Sequence, residues 1–207
     1  MYTGWVRKGR LSLPKQRMEA FTDAIFAIII TVMVLELHPP TSGQFSALWG
    51  LRHAFAIYLA SFLILAVYWN NHHHLFQIVR SIDGTVLWVN TIFILVVSLF
   101  PFATAWVGDN HVDSVAPEML FGTVMFLMDA MFFVLVRALI HADGENPEIR
   151  KLVGKGYNKP YISMAGNIVA IFLAFIWPPL TVIVDTLLLV LWVMPERRIE
   201  RHVSNGR

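Results

Sequence analysis

Six unbroken runs of apolar residues constrain this chain more than any other feature of it. They are Ala20 to Leu37, Ala47 to Trp69, Val86 to Val107, Met119 to Ile140, Tyr161 to Trp177 and Leu180 to Met194. A bilayer core of roughly 30 Å takes about 20 helical residues to cross, and only helices or closed barrels satisfy their own backbone groups there. The runs are far too long for barrel strands. With 57% of residues hydrophobic and a mean hydropathy of +0.60, little of the chain is left over for a soluble module. The last two runs are short, and Pro178-Pro179 between them cannot comfortably continue a helix. They predict a tight turn and a helical hairpin. The expectation is therefore an all-α integral membrane protein in which residues 1–207 form a single domain of six transmembrane helices.

Charge placement predicts the orientation, because cytoplasmic loops hold the excess of Lys and Arg. With the N-terminus inside and six crossings, that face receives Arg7, Lys8, Arg10, Lys15, Arg17, Arg80, Arg137, Arg150, Lys151, Lys155, Lys159, Arg197, Arg198, Arg201 and Arg207. Arg52 alone falls outside, together with Glu36, Asp109, Asp113 and Glu118. An odd number of crossings would scramble this segregation, so both termini are expected in the cytoplasm. Topology accounts for the basic balance without a nucleic-acid partner. Arg7, Lys8, Arg10 and Lys15 precede an apolar run as in a signal peptide, but Glu19 and Asp23 interrupt it and no cleavage site follows, so it reads as a retained first helix. The absence of cysteine removes disulfides, thiolate-bound metals and thiol catalysis. Gly154-Lys155-Gly156-Tyr157 lacks the strand and helix that flank a phosphate loop, and it reads as a surface turn.

The polar residues at the edges of the runs carry the functional information. Arg17, Glu19, Phe21, Thr22 and Asp23 crowd the cytoplasmic end of the first run. An Asp facing lipid costs a few kcal/mol on insertion scales, so Asp23 is expected to face protein or water, or to cap the helix start together with Thr22. A second cluster, Trp69-Asn70-Asn71-His72-His73-His74-Leu75-Phe76, ends the second run on the same side. Three consecutive histidines cannot converge from one helix, so a chelating metal site is disfavoured. Hydrogen bonds from one or two imidazoles to the first helix are expected instead, with the third solvated. Asp129 and Asp185 are buried polar residues that could pair within the bundle or serve a proton or cation path, while Asn90, Ser98 and Asn167 suit bonds between helices.

Arg17, Phe21, Thr22 and Asp23 stand at the spacing of an Arg-x-x-x-Phe-Ser-Asp signature. Trp69, His72, His73 and Phe76 match a Trp-x-x-His-His-x-x-Phe pattern, and Pro101-Phe102 falls late in the third run. On these motifs the chain resembles the endolysosomal potassium channels of animals and their single-repeat bacterial and archaeal relatives, from about Arg17 to Met194. Thr22 replaces the usual Ser and keeps the hydroxyl. The resemblance implies a homotetramer in the bacterial inner membrane, with potassium ions passing a central pore lined by the first helices and no enzyme activity or cofactor. Carried over by distance from Asp23, the family's narrow apolar ring falls on Ile28, its hydroxyl ring on Thr31, near which potassium would bind, and a second apolar ring on Leu35, with Val32 sharing the wall. Ile28, Thr31, Val32 and Leu35 also stand at i, i+3, i+4 and i+7, one stripe of a helix, which by itself reads as ordinary packing and becomes a pore face only with the signature beside it.

Two other classes remain for comparison. A proton-coupled secondary transporter of a small cation would use Asp129 or Asp185, though no internal repeat between the two halves supports it. An intramembrane enzyme would need a nucleophile and base at helical spacing within the runs, and none is present.

Overall fold

The structure, a computed structural model, describes residues 15–110, 114–152 and 158–193. Among them every regular element is helical: α1 (Lys15–Leu35), a 3-10 segment (Phe45–Leu51), α2 (Arg52–Ile78), α3 (Gly84–Val97), α4 (Phe100–Asp109), α5 (Val115–Ala142), α6 (Pro147–Leu152), α7 (Lys159–Leu173) and α8 (Leu180–Val193). The basic positions 7, 8, 10, 155, 197, 198, 201 and 207, with Asp113, Met194 and the Gly154 to Tyr157 turn, lie outside the described residues.

Four stretches are long and apolar enough to cross a membrane: Lys15–Leu35, Phe45–Ile78, Gly84–Asp109 and Val115–Ala142. Helices α7 and α8, with 15 and 14 residues, are apolar but shorter. At 1.5 Å per residue each spans roughly 22 Å.

Local chemistry explains the boundaries. Helix α1 stops at Leu35, ahead of Pro39-Pro40, and its last turn tightens through Leu37 N–H donating to Val34 O at 3.3 Å. The second run enters as a 3-10 segment, where the Arg52 guanidinium lies 5.5 Å from the centre of the exposed Trp49 ring and donates to Trp49 O at 3.0 Å. An aromatic ring beside a basic residue suits the membrane interface. The third run is one crossing built of two helices. Pro101 has no N–H to give the Val97 carbonyl and crowds it, so the chain turns through Ser98 and Leu99 before α4 begins. Between α7 and α8 the expected hairpin is present: Trp177 N–H donates to Leu173 O and Leu180 N–H to Trp177 O, each at 3.0 Å, around Pro178-Pro179.

Successive long helices alternate in direction. Lys15 Nζ reaches the carbonyls of Phe76 and Val79 at the far end of α2, and Gly108 at the end of α4 lies against Ala54 at the start of α2. The link from α2 to α3 is fixed to the end of α5 by Asp143, which accepts from Arg80 N–H at 2.8 Å and Ser81 Oγ at 3.2 Å, while Asn146 Nδ2 donates to Ile78 O at 2.8 Å. Asp83 caps α3 by accepting from Val86 N–H at 3.0 Å.

The core is an aromatic stack contributed by five helices. Phe26, His72, Phe93, Phe132 and Trp192 touch in turn from α1 to α8, and Tyr68 packs against Phe93. Helices α5, α7 and α8 converge at Gly122, where a Cβ would stand 2.8 Å from both Ile171 Cγ1 and Thr181 Cγ2. Overpacking of this kind costs about 1–3 kcal/mol. Gly122→Ala is accordingly expected to lower the thermal unfolding temperature of the purified protein, whereas Gly43→Ala, which meets nothing within 4 Å, leaves it unchanged.

Candidate functional site

Helix α1 has two unlike faces. Met18, Thr22, Phe26, Ile29 and Met33, at helical spacing, are buried against the bundle. About half a turn around the helix lie Ala24, Ile28, Thr31 and Leu35, all exposed on the surface of the subunit: Ile28 is 56% exposed and Leu35 73%. Val32, 36% exposed, stands at its edge. The four residues anticipated to line a pore thus share the free side of α1 and contribute nothing to the subunit's own core. Thr31 Oγ1 donates to Ala27 O at 2.8 Å. Its one hydrogen is spent inside the helix, so what it presents outward is oxygen lone pairs, the chemistry a cation needs.

The other face explains what holds α1 in place. Thr22 Oγ1 donates to Met18 O at 2.9 Å and accepts from Asn90 Nδ2 at 2.9 Å, and Asn90 Oδ1 faces His72 Nε2 at 3.0 Å. The pattern fixes the proton positions in order. The Thr22 hydrogen is used on Met18, so its oxygen must accept from the Asn90 amide; Asn90 then offers its carbonyl to His72, whose Nε2 carries the proton. His72 is buried between the Phe76 and Phe93 rings, with centroids at 4.5 and 6.0 Å. One buried chain of bonds therefore ties α1, α3 and α2 together. A second tie runs alongside it: Trp69 Nε1 donates to Asp23 Oδ1 at 2.9 Å, and the Trp69 ring stacks on His73, whose Nε2 meets Gln77 at 2.9 Å.

Two expectations change here. Thr22 and Asp23 do not cap a helix start, because α1 begins at Lys15 and carries them two turns inside it. The helix is also not held by imidazoles directly: Asn90 and the Trp69 indole make the bonds, and the histidines support those two residues. The Trp69 to Phe76 cluster does lie at the end of the second span, in the last turns of α2, which stops at Ile78. His74 is exposed, as anticipated, and the described residues contain no group of three or more metal-ligating side chains. Arg17 and Phe21 point away from the bundle on the stripe side.

A separate polar centre lies among α2, α5 and α7. Asp129 accepts from Tyr68 and Ser163 through their hydroxyls and from Asn167 Nδ2 at 2.9 Å, and Trp192 Nε1 donates to Ser163 Oγ at 3.2 Å. Asn90 and Asn167 bond between helices as expected. Ser98 does not, because its hydroxyl turns back to Leu95 O at 2.7 Å. Tyr68 gave no signal in the sequence, since nothing in a single chain shows which aromatic hydroxyl will meet a distant carboxylate.

Comparison with known proteins places these features in a group. The family model for the endosomal/lysosomal potassium channel TMEM175 matches residues 17–101, a stretch that holds α1, both polar clusters and Pro101. A potassium channel of Chryseobacterium sp. (strain P1-3) is 34% identical over 194 residues, covering 94% of this chain and all of that one. The endosomal/lysosomal proton channel TMEM175 of Gallus gallus is 29% identical over 149 residues, 66% of this chain but 28% of that protein. In three dimensions the chain is similar to the crystal structure of a lysosomal potassium-selective channel TMEM175 homolog from Chamaesiphon minutus, with a TM-score of 0.75 and 26% identity over 87% of this chain and 96% of that one. The names these relatives carry are those of ion channels and not of enzymes.

Proposed function

The chain belongs to the TMEM175 family, and from that premise we propose that it is a potassium-permeable cation channel made of four copies, each contributing α1 to the wall of a central pore. The observation that carries this reading is the free stripe of α1. A helix in the middle of a subunit's contacts would bury its apolar residues on all sides, whereas α1 leaves Ile28, Thr31 and Leu35 exposed along one stripe. Stacked in four copies, Ile28 and Leu35 form apolar rings that close the pore by dewetting, and Thr31 forms a ring of oxygens between them that replaces part of an ion's water. Val32 fills the wall beside them. The Thr22–Asn90–His72 chain and the Trp69–Asp23 bond then set the tilt of the pore helix from behind, which gives the signature residues a mechanical role. Six crossings with both termini in the cytoplasm follow if α7 and α8 each traverse the bilayer, and a bacterial cell membrane is the setting the bacterial relatives favour.

The test is potassium flux through the purified protein in liposomes with no proton gradient imposed. Passive flux is expected, and Thr31→Ala is expected to reduce the preference for potassium over sodium, read from the shift in reversal potential under mixed gradients. Uptake that requires a proton gradient would replace this reading with a proton-coupled transporter acting through the buried acids. Absence of flux in wild type and in pore variants alike would leave no channel to explain.

A further inference from the structure

Away from the α1 stripe, the contact of α5, α7 and α8 encloses two carboxyl groups that complete no hydrogen bond. Glu118 is 2% exposed and Asp185 fully buried, yet none of their four carboxylate oxygens has a hydrogen-bond partner. Asp129 shows the contrast: it is equally deep and accepts from three donors. Glu118 sits in the first turn of α5 beside the backbone amide of Val182, which opens α8, without completing a bond to it. One turn along α5, Asp185 lies across Gly122, with Oδ2 3.8 Å from where a Cβ would be. On α7, Thr181 Oγ1 meets Ala170 O and Leu188 packs on Gly166, so Asp185, between them on α8, is level with Asn167. Asn167 gives its amide N–H to Asp129, but its own Oδ1 is buried and unpartnered.

No helix packed here supplies an opposite charge. The titratable groups near enough to Asp185 to interact with it are Glu118 and Asp129 on α5 and Tyr68 on α2, and Tyr68, Ser163 and Asn167 are all bonded to Asp129. Helix α3 carries no charge, and α4 none before Asp109 at its end. The cations of these helices, Arg137 of α5, Lys159 of α7 and Arg52 of α2, stand toward the helix ends. A bare carboxylate in such surroundings costs several kcal/mol, which a proton removes. A proton also turns Asp185 into a hydroxyl donor, and Asn167 Oδ1 is an acceptor in want of one. The two unmet groups are complementary only when the acid is protonated.

We propose that Glu118 and Asp185 form a proton-binding site inside each subunit, separate from the α1 stripe, which exchanges with water at the Glu118 end. Each carboxylate takes one proton from water and becomes a neutral acid, so loading removes up to two negative charges from the bundle. Asp185 is the inner acceptor and Glu118, three residues into α5, the relay between it and the surface.

The experiment is infrared difference spectroscopy of the full chain in liposomes as the bath pH is stepped, in light and heavy water. Wild type is expected to show protonated-carboxyl stretching bands that grow on acidification and shift in heavy water. Asp185→Asn should lose one band, Asp185→Glu should move it, and Glu118→Gln should lose the other and slow exchange of the first. Should Asp185→Asn fail to reconstitute, Asp185→Glu and Glu118→Gln carry the test. A wild-type spectrum unchanged by these substitutions, or bands that neither titrate nor exchange, would overturn the proposal and leave two acids locked in one state. The readout needs no ion flux, so it stands or falls apart from the channel reading.

Discussion

Ile28→Asn is expected to raise passive potassium flux at least about tenfold, equivalent to lowering the barrier by roughly 1.4 kcal/mol. In the proposed tetramer the size follows from the fourfold repetition of a small change. A ring of four isoleucine side chains excludes water from a narrow pore, and an ion crossing it must shed hydration with nothing in return; four amides would hold that water and supply dipoles. The subunit itself should hardly notice. Ile28 is more than half exposed and makes no core contact, so its replacement belongs with surface substitutions, within about 0.5 kcal/mol. Ile29→Asn is the control that separates the two faces of α1: that side chain is 5% exposed, and an amide there is buried without a partner, at a cost of about 1–3 kcal/mol. The expected pattern is thus a leaky, stable Ile28→Asn and an unstable Ile29→Asn. Unchanged flux in a well-folded Ile28→Asn would take α1 off the pore wall.

The same contrast shows what the sequence could and could not reveal. Periodicity placed Ile28, Thr31, Val32 and Leu35 on one stripe of α1, but three of the four are as apolar as the buried Phe26 and Ile29, so spacing alone could not tell which side of the helix packs inward. Pro178-Pro179 marked the hairpin because proline acts on the backbone locally. The limits of the second run were less legible: hydropathy falls at Trp69-Asn70-Asn71, but α2 runs nine residues further, since Trp69 donates to Asp23 of α1 and Asn71 to Val67 O one turn back in α2 itself. Pro101 was noted as part of a motif while its effect, the division of one crossing into α3 and α4, depends on the Val97 carbonyl it cannot serve. Least visible were the partners. The hydrogen bonds from His72 reach α1 through Asn90, and Asp129 draws donors from α2 and α7, at sequence separations of 61, 34 and 38 residues that no local pattern encodes. Glu118 read as a charge at the outer end of its run, and nothing local showed that it would be buried.

The Asp129 centre sets the second large expectation. Asp129→Ala removes the acceptor shared by Tyr68, Ser163 and Asn167 and leaves three donors in the bundle interior without a partner. Soluble proteins lose about 1–3 kcal/mol for each buried group so stranded, whereas double-mutant cycles in a membrane protein average about 0.6 kcal/mol per bond, because the unfolded chain in lipid also finds partners. Between those limits a loss of about 2–5 kcal/mol is expected. It should be read from the midpoint of unfolding in mixed micelles as denaturing detergent is added, with tryptophan fluorescence as the signal. Trp192 packs edge-on against Phe132 at 5.8 Å and donates to Ser163, so it reports on this region. Asp129→Asn should cost less, since its carbonyl still accepts while its amide meets donors it cannot serve. Asp129→Ala within about 0.5 kcal/mol of wild type would mean that the three donors find new acceptors, and that α5 and α7 are held by apolar packing around Gly122 and not by the carboxylate.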